Sequence, residues 1–194
     1  MAASMSLRRT GALCLLSLAV WAAPAETRDV PPPAYQLAAR DAGIPSAVLY
    51  AVALQESGVM LRGRHVPWPW SLNVAGQERR FQTREAACAD LRRALREVPR
   101  TRIDVGLGQI NVGYQAGRFD HPCDLLDPYR NLAIAATILR EHHTPGEDWL
   151  LAIGRYHRPA GGAPAARYRR SVHQHLARVQ GSPAPVSTAR SPSP

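Results

Sequence analysis

The chain has 194 residues, 45% of them hydrophobic and 20% charged, which suits one globular domain with a real apolar core. Its formal charge is +9 and its isoelectric point about 10.5, and every one of the 24 basic residues is Arg. No apolar run reaches the roughly 18 residues that a spanning helix needs, so a multispan membrane protein is excluded, as are acidic, collagen-like and coiled-coil chains.

The first 25 residues are laid out as a secretory leader. Arg8 and Arg9 supply a positive start, Leu13 to Trp21 a short apolar run, and Ala23-Pro24-Ala25 the small residues of a cleavage site. Cleavage is expected after Ala25, with an uncleaved signal anchor as the alternative. It would remove two Arg and no acid, and so lower the formal charge to +7. Cys14 leaves with the leader. Cys88 and Cys123 remain, and an even pair in an oxidising compartment is a disulfide candidate, with two buried free thiols as the alternative. No pair of Cys or His has zinc-site spacing, so no metal is expected.

Residues 26–33 form a Pro-rich spacer ending in Pro31-Pro32-Pro33. A short helix is expected over Ala34 to Asp41, stopped by Gly43. Pro45 opens a second, with Val48, Leu49, Val52, Ala53 and Glu56 at helical spacing, ending near Ser57-Gly58. Pro67-Trp68-Pro69-Trp70 cannot be helical. Ser71 to Val74, a turn at Ala75-Gly76 and a return at Arg80-Phe81-Gln82 read as a small β-hairpin. Thr83 is the expected N-cap of a third helix, with Ala86, Ala87, Leu91, Leu95 and Val98 as its apolar stripe and Arg84, Arg92, Arg93 and Arg96 on a solvated face. Gly106 to Asn111 is a glycine-punctuated turn, expected to lead into a short helix. Asp127-Pro128 caps a long helix to about His143, Asp148 opens another that Pro159 stops, and the last runs from about Ala165 to Val179. The fold class is therefore α+β, mainly α, with one domain over 34–180 and a loose Ser/Pro/Ala tail over 181–194.

Glu56 is the residue with the most chemistry in it. It shares the inward face of its helix and lies in the last turn, where partial burial and the negative end of the dipole both disfavour a carboxylate. A carboxyl held protonated near neutral pH is what protonation of a glycosidic oxygen requires. An ordinary surface Glu on a fraying helix end is the alternative.

Five blocks in order then carry a resemblance. Gln55-Glu56-Ser57-Gly58 looks like the E-S motif of soluble lytic transglycosylase domains. Gly106-Leu107-Gly108-Gln109-Ile110 resembles their G-L-M-Q-I, with Gly108 where Met is usual. Asp127-Pro128-Tyr129-Arg130-Asn131-Leu132, with Ala135 and Leu139 beyond, is similar to D-P-x-x-N-I-x-x-G-x-x-Y-L. Ala152 to Tyr156 looks like A-x-x-x-Y, with His157 in place of the usual Asn. Tyr168-Arg169-Arg170-Ser171-Val172 resembles the closing Y-V-x-x-V helix. The blocks span about 45–180. The longer stretch between Ser57 and Gly106, and the form of the block around Tyr156, look most like transglycosylases encoded with type IV secretion systems or integrative conjugative elements.

The resemblance implies a lysozyme-like fold with a small β-hairpin insert, and a periplasmic enzyme acting on peptidoglycan glycan strands. It needs no cofactor, and a monomer is expected. By the resemblance, Glu56 protonates the oxygen between N-acetylmuramic acid and N-acetylglucosamine. It then takes the proton of the muramyl 6-hydroxyl as that group closes a 1,6-anhydro ring. Tyr156 is expected to hydrogen-bond and orient the Glu56 carboxyl. Ser57, Gly106, Leu107, Gln109, Tyr156 and Tyr168 are expected at the substrate, Ser57 alternatively at the Glu56 carboxyl, with Gly106 and Gly108 letting backbone approach the sugar. Each also has a plainer reading as a core or turn residue, and Trp68 and Trp70 read equally well as sugar platforms or as pins for the hairpin. Asp104 and Glu78 are the nearest second carboxylates in sequence, but neither falls in a matched block. A partner secretion or conjugation apparatus is implied. Nucleic acid is not expected as a partner, since no helix-turn-helix, RNA-binding or zinc-finger pattern accompanies the charge. A lysozyme-type hydrolase and a non-catalytic wall-binding subunit remain alternatives.

Overall fold

The computed structural model describes residues 29–181. The elements in chain order are α1 (Pro33–Ala42), α2 (Ser46–Ser57), β1 (Gly58–Leu61), β2 (Arg64–Pro67), β3 (Ser71–Val74), β4 (Gln77–Arg80), α3 (Arg84–Glu97), β5 (Ile103–Val105), β6 (Ile110–Asn111), α4 (Pro128–Glu141), α5 (Trp149–His157) and α6 (Gly162–Gln180). The class is mixed α+β, mainly helical. The leader expected over 1–25, the start of the spacer and the tail beyond Gly181 lie outside the described residues. Among these residues no single helix is long and apolar enough to cross a membrane.

The organising element is α2. Its sequence suggests one apolar face, but Leu49, Tyr50, Ala51, Val52, Ala53 and Leu54 are all buried in succession. A helix apolar all round belongs in the middle of a core, and α2 packs against α1, α4 and α6. Glu56 is carried out of that core on the last turn. Three of the surrounding helices begin where sequence places their caps. Thr83 Oγ1 accepts from the Ala86 amide at 3.2 Å, and Asp127 Oδ1 from the Tyr129 and Arg130 amides at 3.0 Å each. Asp148 Oδ1 accepts from the Leu150 amide at 2.9 Å. Each pairing satisfies helix-start donors that would otherwise lack a partner.

The expected hairpin is present as β3–β4, with Ala75 at φ 56° and Gly76 at φ 91° making the turn. It returns earlier than expected, at Gln77 rather than Arg80. It is also half of a larger sheet. The order is β4-β3-β5-β6, antiparallel throughout, and a separate hairpin pairs β1 with β2. The Gly106–Gln109 turn therefore joins two strands and does not lead directly into a helix. Alternation puts Leu72, Val74, Ile103, Val105 and Ile110 on the buried face. The opposite face carries one row across the strands, Glu78–Asn73–Asp104–Asn111, each directly opposite the next. At a strand spacing of about 4.8 Å the row is roughly 14 Å long.

The stripe of α3 is Ala87, Asp90, Leu91 and Ala94, with Ala86 exposed. The inclusion of Asp90 has a cause. Asp90 Oδ2 accepts from Arg79 of β4 at 2.9 Å, and its other oxygen pairs with Arg93. This ion pair fastens the helix to the sheet and takes Arg93 out of a purely solvated role. Cys88 and Cys123 form a disulfide that joins α3 to the short 3-10 turn over Pro122–Leu126.

Candidate active site

A cleft of about 520 Å³ opens between the polar face of the sheet and the helices. Gln55 and Glu56 enter it from α2, Tyr156 and His157 from α5, and Tyr168 from α6. The row Glu78, Asn73, Asp104 and Asn111 forms its sheet side, with Gln109, Tyr114 and His142 at its margins.

Glu56 is enclosed by this arrangement, and loss of solvation pushes its carboxyl up from the ordinary 4.5 to about 7. Tyr168 donates a hydrogen bond to Glu56 Oε1 at 2.5 Å and opposes that rise, whereas the nearby negative charge of Asp104 adds to it. At neutral pH a large fraction of Glu56 is therefore the acid. Tyr168 is itself buried, with its hydroxyl held protonated by burial and by Glu56. The exposed His157 ring stacks on it at 4.4 Å, almost parallel.

Tyr156 does not hydrogen-bond Glu56. Its hydroxyl donates to the Gly108 carbonyl at 2.6 Å. The orienting contact expected of Tyr156 belongs to Tyr168, which was expected at the substrate. Both tyrosines reach the cleft, and only the packing of α5 against α6 decides which one meets the carboxyl.

Ser57 is 1% exposed, and its hydroxyl faces the carbonyls of Leu107 at 2.9 Å and Ala53 at 3.1 Å. It has no surface to offer a substrate and instead ties the Gly106–Gln109 turn to the end of α2. Leu107 is likewise a core side chain, 4% exposed. Gly106 has φ 80°, and a Cβ there would lie 2.3 Å from Asn131 Nδ2. A Cβ on Gly108 would lie 2.8 Å from the Ala135 Cβ and 2.9 Å from the Tyr156 hydroxyl. Both glycines thus admit α4 and α5 rather than a sugar. Gln109 does line the cleft, its Nε2 donating to the Gly106 carbonyl at 2.9 Å. Trp68 and Trp70 are absent from the cleft lining. Trp68 Nε1 donates to the Phe81 carbonyl at 2.7 Å and the two rings meet edge to face, so they pin the β3–β4 hairpin.

Two residues matter more than sequence suggests. Asn131, fully buried on α4, donates to the Val105 and Leu125 carbonyls at 2.8 Å each and accepts from the Gly108 amide at 2.7 Å. It clamps both ends of the turn. Its place in the Asp-Pro block was visible, but its three partners lie 6 to 26 residues away. The other is Asp104, half-buried, with Oδ1 accepting from Asn111 Nδ2 at 2.8 Å. Burial raises its carboxyl above the ordinary value and the Asn111 bond opposes the rise. Only cross-strand register could have brought it to Glu56. Among the described residues no group of three or more His, Cys, Asp or Glu side chains is arranged to hold a metal ion.

No family model, no curated protein and no solved structure matches the chain.

Proposed function

We propose that the protein is a lytic transglycosylase of lysozyme-like fold, exported to the periplasm, that cleaves the β-1,4 bond between N-acetylmuramic acid and N-acetylglucosamine and so opens the wall locally for a secretion or conjugation apparatus. One observation carries the reading. Residues of all five sequence blocks, scattered along most of the domain, meet around one enclosed carboxyl. Ser57 holds Leu107, Asn131 and Tyr156 hold Gly108, and Tyr168 holds Glu56. The departures from the family pattern are also reciprocal. Gly108 stands where Met is usual, and Ala135 stands where the family's helix has Gly. These are the two residues that a Cβ on Gly108 would bring to 2.8 Å.

The chemistry is the one the resemblance implies, and the raised Glu56 carboxyl suits its first step. Glu56, as the acid, gives its proton to the bridging oxygen. The bond between that oxygen and the anomeric carbon breaks, and its electron pair leaves on the oxygen. The positive charge left on the sugar is stabilised by the substrate's own acetamido group. The muramyl 6-hydroxyl then attacks the anomeric carbon and loses its proton to Glu56, which is restored as the acid. The excess of Arg favours weak, salt-screened attraction to the carboxylates of wall peptides.

The test is digestion of purified sacculi followed by mass spectrometry. Release of 1,6-anhydromuramyl products is expected, with Glu56→Gln slower by at least about 100-fold, the usual worth of a general acid. A Glu56→Gln variant that clears sacculi at the parent rate would leave only a wall-binding role. The presence of Asp104 in the cleft favours one rival, a lysozyme-type hydrolase that activates water. Reducing-end muramic acid without anhydro product would replace the transglycosylase reading with that one.

A further inference from the structure

We infer that Asp104 is a second working carboxylate of this cleft, held by Asn111 on the sheet side to stabilise the positive charge that develops on the sugar ring as Glu56 protonates the bond. The inference rests on the glycan-cleaving reading above and goes beyond the one-carboxylate chemistry of the family the sequence resembles.

Three features of the cleft support it. First, Asp104 and Glu56 line one cleft from opposite layers, sheet and helix. A bond held between them would have an acid on one side and an anion on the other, the division of labour that paired carboxylates perform in glycoside cleavage. Second, Asp104 is fixed. Asn111 donates to Asp104 Oδ1, and Asn111 is held in turn by the Thr101 carbonyl at 3.0 Å and by the Gly113 and Tyr114 amides at 3.0 Å each. A side chain that receives and gives this many bonds cannot swing away, so the carboxylate is preorganised, as electrostatic stabilisation requires. Third, Asn73 on one side and Asn111 on the other flank Asp104 in register. Their amides are neutral and polar, which keeps the neighbourhood solvating without neutralising the anion.

The step balances. Glu56 loses a proton to the leaving oxygen, the anomeric carbon loses its bond to that oxygen, and Asp104 faces the resulting cation without forming a bond to it. The 6-hydroxyl supplies the new bond, and its proton returns to Glu56. Asp104 must be ionised while Glu56 is protonated. The other titratable groups lining the cleft are Glu78 from β4, Tyr114 from the loop after β6, His142 at the end of α4, Tyr156 and His157 from α5 and Tyr168 from α6. None of these supplies a permanent cation that would neutralise Asp104.

The experiment compares the parent with Asp104→Asn, a change of charge at constant shape, in kinetics on sacculi between pH 4 and 9. The expected result is a kcat lower by roughly 100- to 1,000-fold with KM little changed, the pattern for loss of transition-state stabilisation alone. The acidic limb of the parent's bell-shaped profile should vanish, and the basic limb, set by Glu56, should move to lower pH. Carboxyl ¹³C titration of Glu56 in Asp104→Asn gives a reading independent of turnover and reports folding at once; Asp104→Ser replaces it if the first variant unfolds. A Glu56 titration that shifts downward supports the inference. An active parent whose Asp104 variant keeps its kcat and its acidic limb overturns this inference alone. A parent that releases no fragments from sacculi overturns the proposed function and this inference with it.

Discussion

Glu56 illustrates how one side chain obtains two opposed properties. Enclosure by α2, α5 and α6 raises its carboxyl to about 7, and the Tyr168 hydrogen bond limits the rise. Tyr168→Phe removes the bond that favours the carboxylate, so the Glu56 pKa should climb and the basic limb of the rate profile should move upward. The rate should fall roughly tenfold, since about one net hydrogen bond of positioning is lost. A basic limb that stays in place or moves down would contradict the hydrogen bond's role. The same pKa fixes a stability dependence. The unfolded carboxyl titrates near 4.5 and the folded one near 7, so the folded state binds more protons in that window. Stability from Glu56 is then complete below about pH 4.5 and is lost as pH rises through 7. Glu56→Gln escapes that loss. Urea unfolding should show it more stable than the parent at pH 8, by no more than about 3 kcal/mol, and equal to it at pH 4.

Between elements, the decisive contacts are those of the Gly106–Gln109 turn with α2, α4 and α5. Asn131 is the best place to break them. Asn131→Leu leaves the Leu125 carbonyl and the Gly108 amide buried without partners and takes one of its donors from the Val105 carbonyl, which keeps its place in the sheet opposite Ile110; it should cost about 3 kcal/mol, measured by chemical denaturation. The turn also carries a packing test. Gly108→Ala places a methyl against Ala135 and Tyr156 and should destabilise by about 1–3 kcal/mol. Adding Ala135→Gly should recover part of that loss, because the two sites share one space. This scale also marks what sequence could reveal. Thr83, Asp127 and Asp148 were legible as caps because a cap acts on amides two or three residues away. The β1–β2 pair was not legible, since Gly-Val-Met-Leu and Arg-His-Val-Pro lack alternation. Strands as short as β5 and β6 fall below the length at which a period of two can be recognised. Without β5, Asp104 has no address in the sequence, and the exchange of roles between Tyr156 and Tyr168 is equally hidden. Tyr168 meets Glu56 across 112 residues of sequence, and motif order alone does not say which hydroxyl arrives.

For the whole molecule, the single apolar core is built around α2, and one covalent link ties α3 to the approach of α4. The Cys88–Cys123 bridge spans 35 residues, and a closure of that length contributes roughly 3–4 kcal/mol by restricting the unfolded chain. The Cys88→Ser, Cys123→Ser double variant should lower the unfolding free energy by about that amount. An unchanged denaturation midpoint would show the bridge to be energetically idle. The bridge has a second consequence, for survival among proteases. The stretch it closes includes Asp104, Gly106 to Gln109 and Asn111, so the β5–β6 half of the sheet side lies inside a covalent ring, while Asn73 and Glu78 lie outside it. A trypsin-like cut at an exposed Arg such as Arg100 opens the ring without releasing a piece, and the two fragments separate on a gel only after reduction. Damage at the segment that shapes the cleft is thereby turned from loss into a nick.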